Sequence, residues 1–291
     1  MSIMDIGELN VPRDLLEELF RQLKVGETDP SRGKTEDDLR SFLAKNNLLE
    51  KPEMRSGLPF DDERVKSEFG YPPAFSFLSP GEQLYALRRF PLFSDLDASH
   101  IEALTPTTRH SDSEFTAVIP KWDRIASSYA EATRMVVSLL KEVHGSKFHN
   151  YREGALTDQH LRLVDETSEA YRQLSDQPGD FYIFDAQVGK RWAGASIRHA
   201  RARFLPEEFG LGPYETACLL LSHPERISVS GHLNIDCAGV EYRRDVQDSF
   251  ALCLSFYWVS MEDHLGLYYD YIGDTYGQWG SVSGFRPQCE I

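Results

Sequence analysis

Apolar residues recur at helical spacing through most of the first 175 residues. The clearest case is the stretch 121–144, where an apolar side chain returns every three or four residues until Gly145. The same pattern predicts further helices over 11–25, 35–45, 80–90 and 157–175. A helical N-terminal region, residues 1–176, is therefore expected.

The pattern changes in the C-terminal part, where apolar and polar residues alternate with a period of two. Before this change, the apolar run 214–221 lies between Pro213 and Pro224, which predicts a short helix buried on all sides. Strands are predicted over 233–236, 249–259, 265–272 and 276–285. We therefore predict an α+β protein. Its helical N-terminal part packs on a C-terminal part, residues 177–291, with a mixed, mostly antiparallel sheet and a short core helix.

A basic segment follows the apolar run 181–184, which itself predicts a buried strand. Between Ala186 and Phe204 the chain has no acidic residue. Ser196 is a candidate cap for a short helix running to about Phe204. The cations of this segment are Lys190, Arg191, Arg198, Arg201 and Arg203, with His199 among them.

Clustered arginines suit a phosphate or a carboxylate, because their planar forks donate two parallel hydrogen bonds. The favoured interpretation is that these cations pair with the protein's own carboxylates across a solvated face. The alternative is that Lys190, Arg191, Arg198 and Arg201 bind a small anionic ligand near the end of the strand 181–184.

Two side chains beside this segment are candidates for catalytic proton transfer. Asp185 directly follows the predicted strand, where polar residues line clefts in layered α/β folds, although it could equally pair with Arg191. His199 lies within the basic segment, and histidine is the side chain that most often acts as a general acid or base. The chain contains no GxSxG, HExxH or GxGxxG motif, so the sequence leaves open whether the protein is an enzyme.

The sequence predicts neither a metal nor a cofactor. His232 and Asp236 would lie on one side of a strand and could join Glu241, but a metal set of this kind lacks a second histidine. The four cysteines are spaced too widely for a zinc pattern and are predicted to be reduced thiols: Cys218, Cys237, Cys253 and Cys289.

The distribution of charge limits the partners. The formal net charge is -15, and residues 205–291 carry 13 acidic and 4 basic residues. This balance argues against binding to nucleic acid or to an anionic membrane, and it suits a basic partner. The same part of the chain is rich in aromatic residues, which form either core and cross-strand pairs or a surface for a partner: Tyr268, Tyr269, Tyr271, Tyr276 and Trp279.

Targeting signals are not visible. The first residues lack the basic and apolar regions of a signal peptide, and no run of about 18 apolar residues occurs. A cytoplasmic location is therefore expected. The sequence predicts an acidic binding or regulatory protein that holds another protein through its acidic or aromatic C-terminal surface. The alternative is an enzyme or sensor for a small phosphate- or carboxylate-bearing ligand bound by residues 190–203.

Overall fold

The computed structural model describes residues 59–287. The described residues belong to one compact unit. The helices predicted over 11–25 and 35–45 lie outside the described residues. The predicted boundary between residues 176 and 177, and the helical N-terminal arrangement, stay predictions.

The described residues contain six α-helices and a sheet of ten strands. The helices are α1 Pro80–Leu87, α2 Ile101–Leu104, α3 Tyr129–His144, α4 Asp165–Leu174, α5 Ile197–Arg201 and α6 Pro213–Ser222. The strands are β1 Phe115–Pro120, β2 Phe148–Asn150, β3 Leu161–Leu163, β4 Phe181–Ala193, β5 Glu208–Gly210, β6 Asn234–Asp236, β7 Val240–Tyr242, β8 Leu252–Val259, β9 His264–Tyr271 and β10 Trp279–Phe285.

The sheet runs in the order β1-β4-β10-β6-β8-β7-β3, with β9 and β2 continuing from β8 and with β5 paired to β10. Two pairings are parallel, β10 with β6 and β2 with β9, and the other seven are antiparallel. The α+β class with a mixed, mostly antiparallel sheet is therefore confirmed.

The core lies between the apolar face of the sheet and the helices α3 and α6. All ten residues of α6 are buried, including Cys218, and Pro213 occupies its first turn as predicted. A helix that is apolar on nearly every side is most stable when all of its sides are buried, because each removes apolar surface from water. The described cysteines are buried and free of disulfides.

Two predicted helices begin later than expected. The helix predicted from residue 121 begins at Tyr129, where the side chain of Ser128 accepts a hydrogen bond from Glu131 N. The preceding Pro120 is the last residue of β1. The helix predicted over 157–175 is α4, which begins at Asp165, because Leu161–Leu163 pairs with β7. The helix predicted over 80–90 ends at Leu87.

The strand predicted over 181–184 is also longer than expected. It continues to Ala193 because β10 pairs with it that far, whereas β1 pairs only with residues 181–186. Asp185 therefore lies within β4, and it does not follow a strand end. Lys190 and Arg191 belong to the same strand. The anion site was predicted at the end of a strand 181–184, but β4 continues to Ala193. The predicted strand end was therefore wrong.

Candidate functional site

The arginines of the basic segment are held by separate groups. Arg198 Nε donates to both carboxylate oxygens of Glu63, at 2.9 and 2.8 Å. Arg201 donates to the carbonyl oxygens of Ala238 and Val240, at 2.8 and 2.6 Å. Arg191 pairs with Asp112 at 2.7 Å. The three predicted ligand-binding arginines thus extend toward different partners.

The other predicted site residues also have structural contacts. Lys190 Nζ lies 5.9 Å from the centre of the Tyr71 ring. Asp185 accepts hydrogen bonds from His110 N at 2.7 Å and from Thr116 Oγ1 at 2.8 Å. His199 Nδ1 lies 2.7 Å from the carbonyl oxygen of Phe60.

A different set of polar residues meets on the face of the sheet opposite the core. Ser281 of β10 and Ser255 of β8 flank Asp236 of β6, and Tyr268 of β9 lies beside Ser255. Residues paired across strands project from the same side of a sheet. These four side chains therefore form one row across four neighbouring strands. We call Asp236, Ser255 and Ser281 the buried acid site.

The helix α5 packs over this face. Arg198 N at its beginning donates to the carbonyl oxygen of Ile272, just after β9, at 3.0 Å. Arg201 at its end reaches the carbonyl oxygens after β6. The cover leaves Asp236 only 4% exposed, and Ser255 and Ser281 are buried.

Asp236 differs from the other buried acids. Four acidic residues are buried within 59–287: Asp185, Glu208, Glu215 and Asp236. Asp185 has the two partners already named. Glu208 accepts from Trp192 Nε1 at 2.9 Å and Ser283 Oγ at 2.6 Å, and Glu215 accepts from Tyr129 Oη at 2.8 Å.

Among the described residues, no side chain or backbone N–H donates to the carboxyl of Asp236 within hydrogen-bond distance. The hydroxyls of Ser255 and Ser281 on either side also lack a described partner. Burial and the nearby charge of Asp270 raise the pKa of Asp236 well above its usual range, against the attraction of Arg201. Unsatisfied buried polar groups destabilise a fold, so the two buried hydroxyls beside the carboxyl of Asp236 mark a candidate ligand site.

A second pair of carboxyls lies at the end of β9 and in the turn that follows. Burial and the charge of Asp274 raise the pKa of Asp270 to about 6. No lysine or arginine of the described chain forms an ion pair with either carboxyl. Arg198 is near Asp274, but its guanidinium is bound by Glu63.

Aromatic rings surround these carboxyls. Tyr271 and Tyr276 are 52% and 46% exposed, and Tyr276 Oη donates to Asp274 at 3.4 Å. We call Asp270, Tyr271, Asp274 and Tyr276 the acidic–aromatic surface. The predicted aromatic residues thus divide into these exposed tyrosines and the half-buried Tyr268, Tyr269 and Trp279.

The structure also contains a cleft of about 680 Å³ beside Arg201. Three arginines line it, Arg162, Arg201 and Arg286, and so do five acidic residues: Asp165, Glu166, Glu169, Glu208 and Glu241. The acidic side chains therefore outnumber the basic ones. Arg162 is bound by Glu241 at 2.7 Å. The volume is within the range of small-molecule sites.

The set His232, Asp236 and Glu241 does not form a metal site. Residues 59–287 contain no group of three or more His, Cys, Asp or Glu side chains that could hold a metal ion. None of the described helices has the length and apolar character needed to cross a bilayer. No family model, curated protein or solved structure matches the chain.

Proposed function

We propose that this chain is a protein-binding module that holds a basic segment of a partner protein against its acidic–aromatic surface. The observation that carries the proposal is the set of three acids on and beside one sheet face, Asp236, Asp270 and Asp274, without an ion-pairing lysine or arginine in the described chain. Neighbouring carboxyls repel one another, and a partner's cations would remove that repulsion.

The local charge supports a basic partner. Between Asp245 and Phe285 the chain has six acidic residues and neither lysine nor arginine. Some of these acids are paired within the protein, as Asp263 is with Lys147 at 2.9 Å. Asp270 and Asp274 stay available at the end of β9, so the negative potential is concentrated there.

The exposed tyrosines support the same proposal. Tyr271 and Tyr276 present half of their surface to solvent beside Asp270 and Asp274. Aromatic faces attract lysine and arginine cations, and tyrosine is enriched among the residues that dominate binding energy in protein interfaces. Rings and carboxyls together therefore provide both contacts that a basic segment uses.

A test needs basic peptides and charge-matched variants. Labelled octalysine, octaarginine and octaglutamate would be titrated with the protein, and binding followed by fluorescence anisotropy. Replacing both carboxyls, D270N/D274N, removes two negative charges from the surface. The control E142Q/D158N removes two from exposed positions elsewhere on the chain. Because exposed ion pairs contribute roughly 0.2–1 kcal/mol each, we expect about tenfold weaker binding of basic peptides by D270N/D274N.

The control separates this surface from the overall charge. The variant E142Q/D158N should bind octalysine as the native chain does, and octaglutamate should not bind either protein. Equal weakening by the two double variants would show nonspecific attraction to an acidic protein and would refute the proposal. So would a native chain that binds neither basic peptide.

We keep a small anionic ligand as a second candidate function. Its support is the presence of three arginines, Arg162, Arg201 and Arg286, in one cleft. Five acidic residues line the same cleft, so a ligand would have to be bound by the arginines against that negative charge. A thermal-shift screen with inorganic phosphate, citrate and ATP tests it, since a ligand at about one hundred times its Kd stabilises by about 2.7 kcal/mol. A shift that is abolished by Arg286→Ala would support this function, and a flat screen would exclude these ligands.

A further inference from the structure

We infer that Glu63 is a positioning residue that binds the guanidinium of Arg198, holds it off Asp274 and so keeps the acidic–aromatic surface open to a partner's cations. This inference rests on the proposed function, because it names a residue that regulates binding to the same surface. Whether Asp274 is available to a partner depends on which carboxyl Arg198 binds.

Arg198 lies directly against the turn that carries Asp274. Its backbone N–H donates to the carbonyl oxygen of Ile272 at 3.0 Å. A Cβ atom added to Gly273 would lie 3.0 Å from the central carbon of the Arg198 guanidinium, so this group packs on the backbone of the residue before Asp274. The charge of Asp274 also acts on Arg198, although less strongly than that of Glu63.

Glu63 occupies the side of the guanidinium that suits a carboxylate. The Nε of Arg198 donates to both oxygens of Glu63, at 2.9 and 2.8 Å, and Nη2 donates to one of them. Parallel donation by these two nitrogens is the strongest way in which an arginine binds a carboxylate. As long as Glu63 holds this fork, Arg198 cannot use it to neutralise Asp274.

The position of Glu63 does not depend on Arg198 alone. Its carbonyl oxygen accepts from Ser196 N at 3.0 Å, and its carboxylate accepts from Ser196 Oγ at 2.6 Å. Two residues later, Val65 N donates to the carbonyl oxygen of Gly194 at 2.8 Å. Although burial opposes it, hydrogen bonds from Arg198 and Ser196 lower the pKa of Glu63. A fixed and ionised carboxylate therefore faces Arg198 at neutral pH.

An Arg198 released from Glu63 has two other acids within reach of its charge, Asp62 and Asp274. Asp62 is exposed, whereas Asp274 is half-buried beside the guanidinium. Solvent and mobile side chains weaken an exposed ion pair more than a half-buried one. We therefore expect the released guanidinium to pair with Asp274.

The test compares octalysine binding by the native chain and three variants, again by fluorescence anisotropy. Glu63→Gln keeps the size of the side chain and removes its charge. Asp62→Asn is the matched control, because it removes one charge from the adjacent residue and leaves the bonds between Glu63 and Arg198 in place. The double variant E63Q/R198Q removes both charges of the ion pair.

We expect Glu63→Gln to bind octalysine about threefold more weakly, because it neutralises one of the two carboxyls that together account for about tenfold. Asp62→Asn should change binding much less. The double variant E63Q/R198Q should bind as the native chain does, since no arginine is then left to pair with Asp274. Damage to the segment 59–65 would not be repaired by the second substitution.

The titration of the Asp270 carboxyl, followed by carbon-13 NMR, gives a second readout that needs no partner. Burial and the charge of Asp274 raise the pKa of Asp270 to about 6 in the native chain. An arginine paired with Asp274 offsets that charge. The pKa of Asp270 should therefore fall in Glu63→Gln and return to about 6 in E63Q/R198Q.

The outcomes separate this inference from the proposed function. The inference requires both changes in Glu63→Gln, weaker octalysine binding than in Asp62→Asn and a lower pKa of Asp270. The absence of either change refutes it, and so does a loss of binding that E63Q/R198Q fails to reverse. The proposed function, which D270N/D274N tests, would still stand in those cases. If the native chain binds neither basic peptide, the proposed function fails, and regulation by Glu63 fails with it.

Discussion

The stability of this protein should fall on mild acidification because His223 is buried as a neutral ring. Its Nε2 accepts a hydrogen bond from Leu78 N at 3.0 Å, and its Nδ1 lies 3.2 Å from the carbonyl oxygen of Leu219. The ring centres of Phe75, Phe77 and Phe115 are each 6.0 Å away. A second proton on Nε2 would face an N–H group, and the aromatic surroundings would not solvate its charge.

The size of the effect follows from the pKa of His223. Burial lowers this pKa from 6.5 to about 4. Below pH 6.5 the unfolded chain takes up a proton on His223, whereas the folded chain does so only near pH 4. The stability that is present above pH 6.5 is therefore lost as the pH falls toward 4. The complete loss amounts to about 3 kcal/mol, and at about pH 5 roughly 2 kcal/mol of it has already occurred.

Urea unfolding at about pH 7.5 and pH 5 measures this loss. The variant His223→Gln cannot titrate, so its unfolding free energy should fall by about 2 kcal/mol less than that of the native chain between these two conditions. Asp236 and Asp270 have raised pKa values and act in the opposite direction, but they are present in both proteins and cancel in the comparison.

The variant His100→Gln is the matched control, because His100 is exposed and the variant keeps His223. It should lose stability on acidification as the native chain does. The reasoning about a buried neutral ring is refuted if His223→Gln loses as much stability between the two pH values as the native protein.

Three further substitutions test the fold and the buried acid site by urea unfolding. Asp236→Asn should raise the unfolding free energy at about pH 7.5, because the raised pKa of Asp236 means that its ionised form destabilises the folded state. The gain should shrink on acidification. A loss of stability at neutral pH would contradict this reasoning. Gln83→Met should lower the unfolding free energy by about 2–4 kcal/mol. The buried amide of Gln83 forms hydrogen bonds with three backbone groups, two of them on the edge strand β1. An unchanged urea midpoint would contradict this expectation. Gly239→Ala should cost about 1–3 kcal/mol because its new Cβ would lie 2.4 Å from the carbonyl oxygen of Gly210; a fully native midpoint would show that the two backbones separate easily.

Local hydrogen bonds made some elements predictable from the sequence. Ser79 and Glu82 cap α1, and Ser196 caps α5, because these contacts join residues only three positions apart. Pro213 opens α6 for a similar reason, since its fixed backbone angle suits a first helical turn. The long strands β8, β9 and β10 were predicted from their alternation and from the apolar residues that they bury.

Contacts between distant parts of the chain account for the errors. The apolar residues of 157–175 fit a helical spacing, yet Leu161 and Leu163 pair with Tyr242 and Val240 of β7. A strand partner about 80 residues away leaves no trace in the local pattern. The longer extent of β4 has the same origin, because β10 pairs with it as far as Ala193.

The contacts of the candidate site also join residues that are distant in the chain, so the sequence did not predict them. The sequence identified the cations of residues 190–203 correctly, but it could not identify their counter-ions. Glu63 is 135 residues from Arg198 in the chain, and only the fold brings them together. Asp236 was visible only as a weak metal candidate. Its lack of a partner emerges when it is compared with the other buried acids, whose hydrogen bonds come from distant elements.

The ion pairs of the basic segment leave the acids at the end of β9 without an ion pair. Arg198 and Arg203 are neutralised by Glu63 and Asp61, and Arg191 by Asp112, all of which precede the C-terminal strands. Arg198 lies near Asp274, but its guanidinium is bound by Glu63. A buried acid that lowers stability at neutral pH is a structural liability unless a partner's cation offsets the cost. Higher stability of Asp236→Asn at neutral pH would show that the native carboxyl is kept at a cost to the fold.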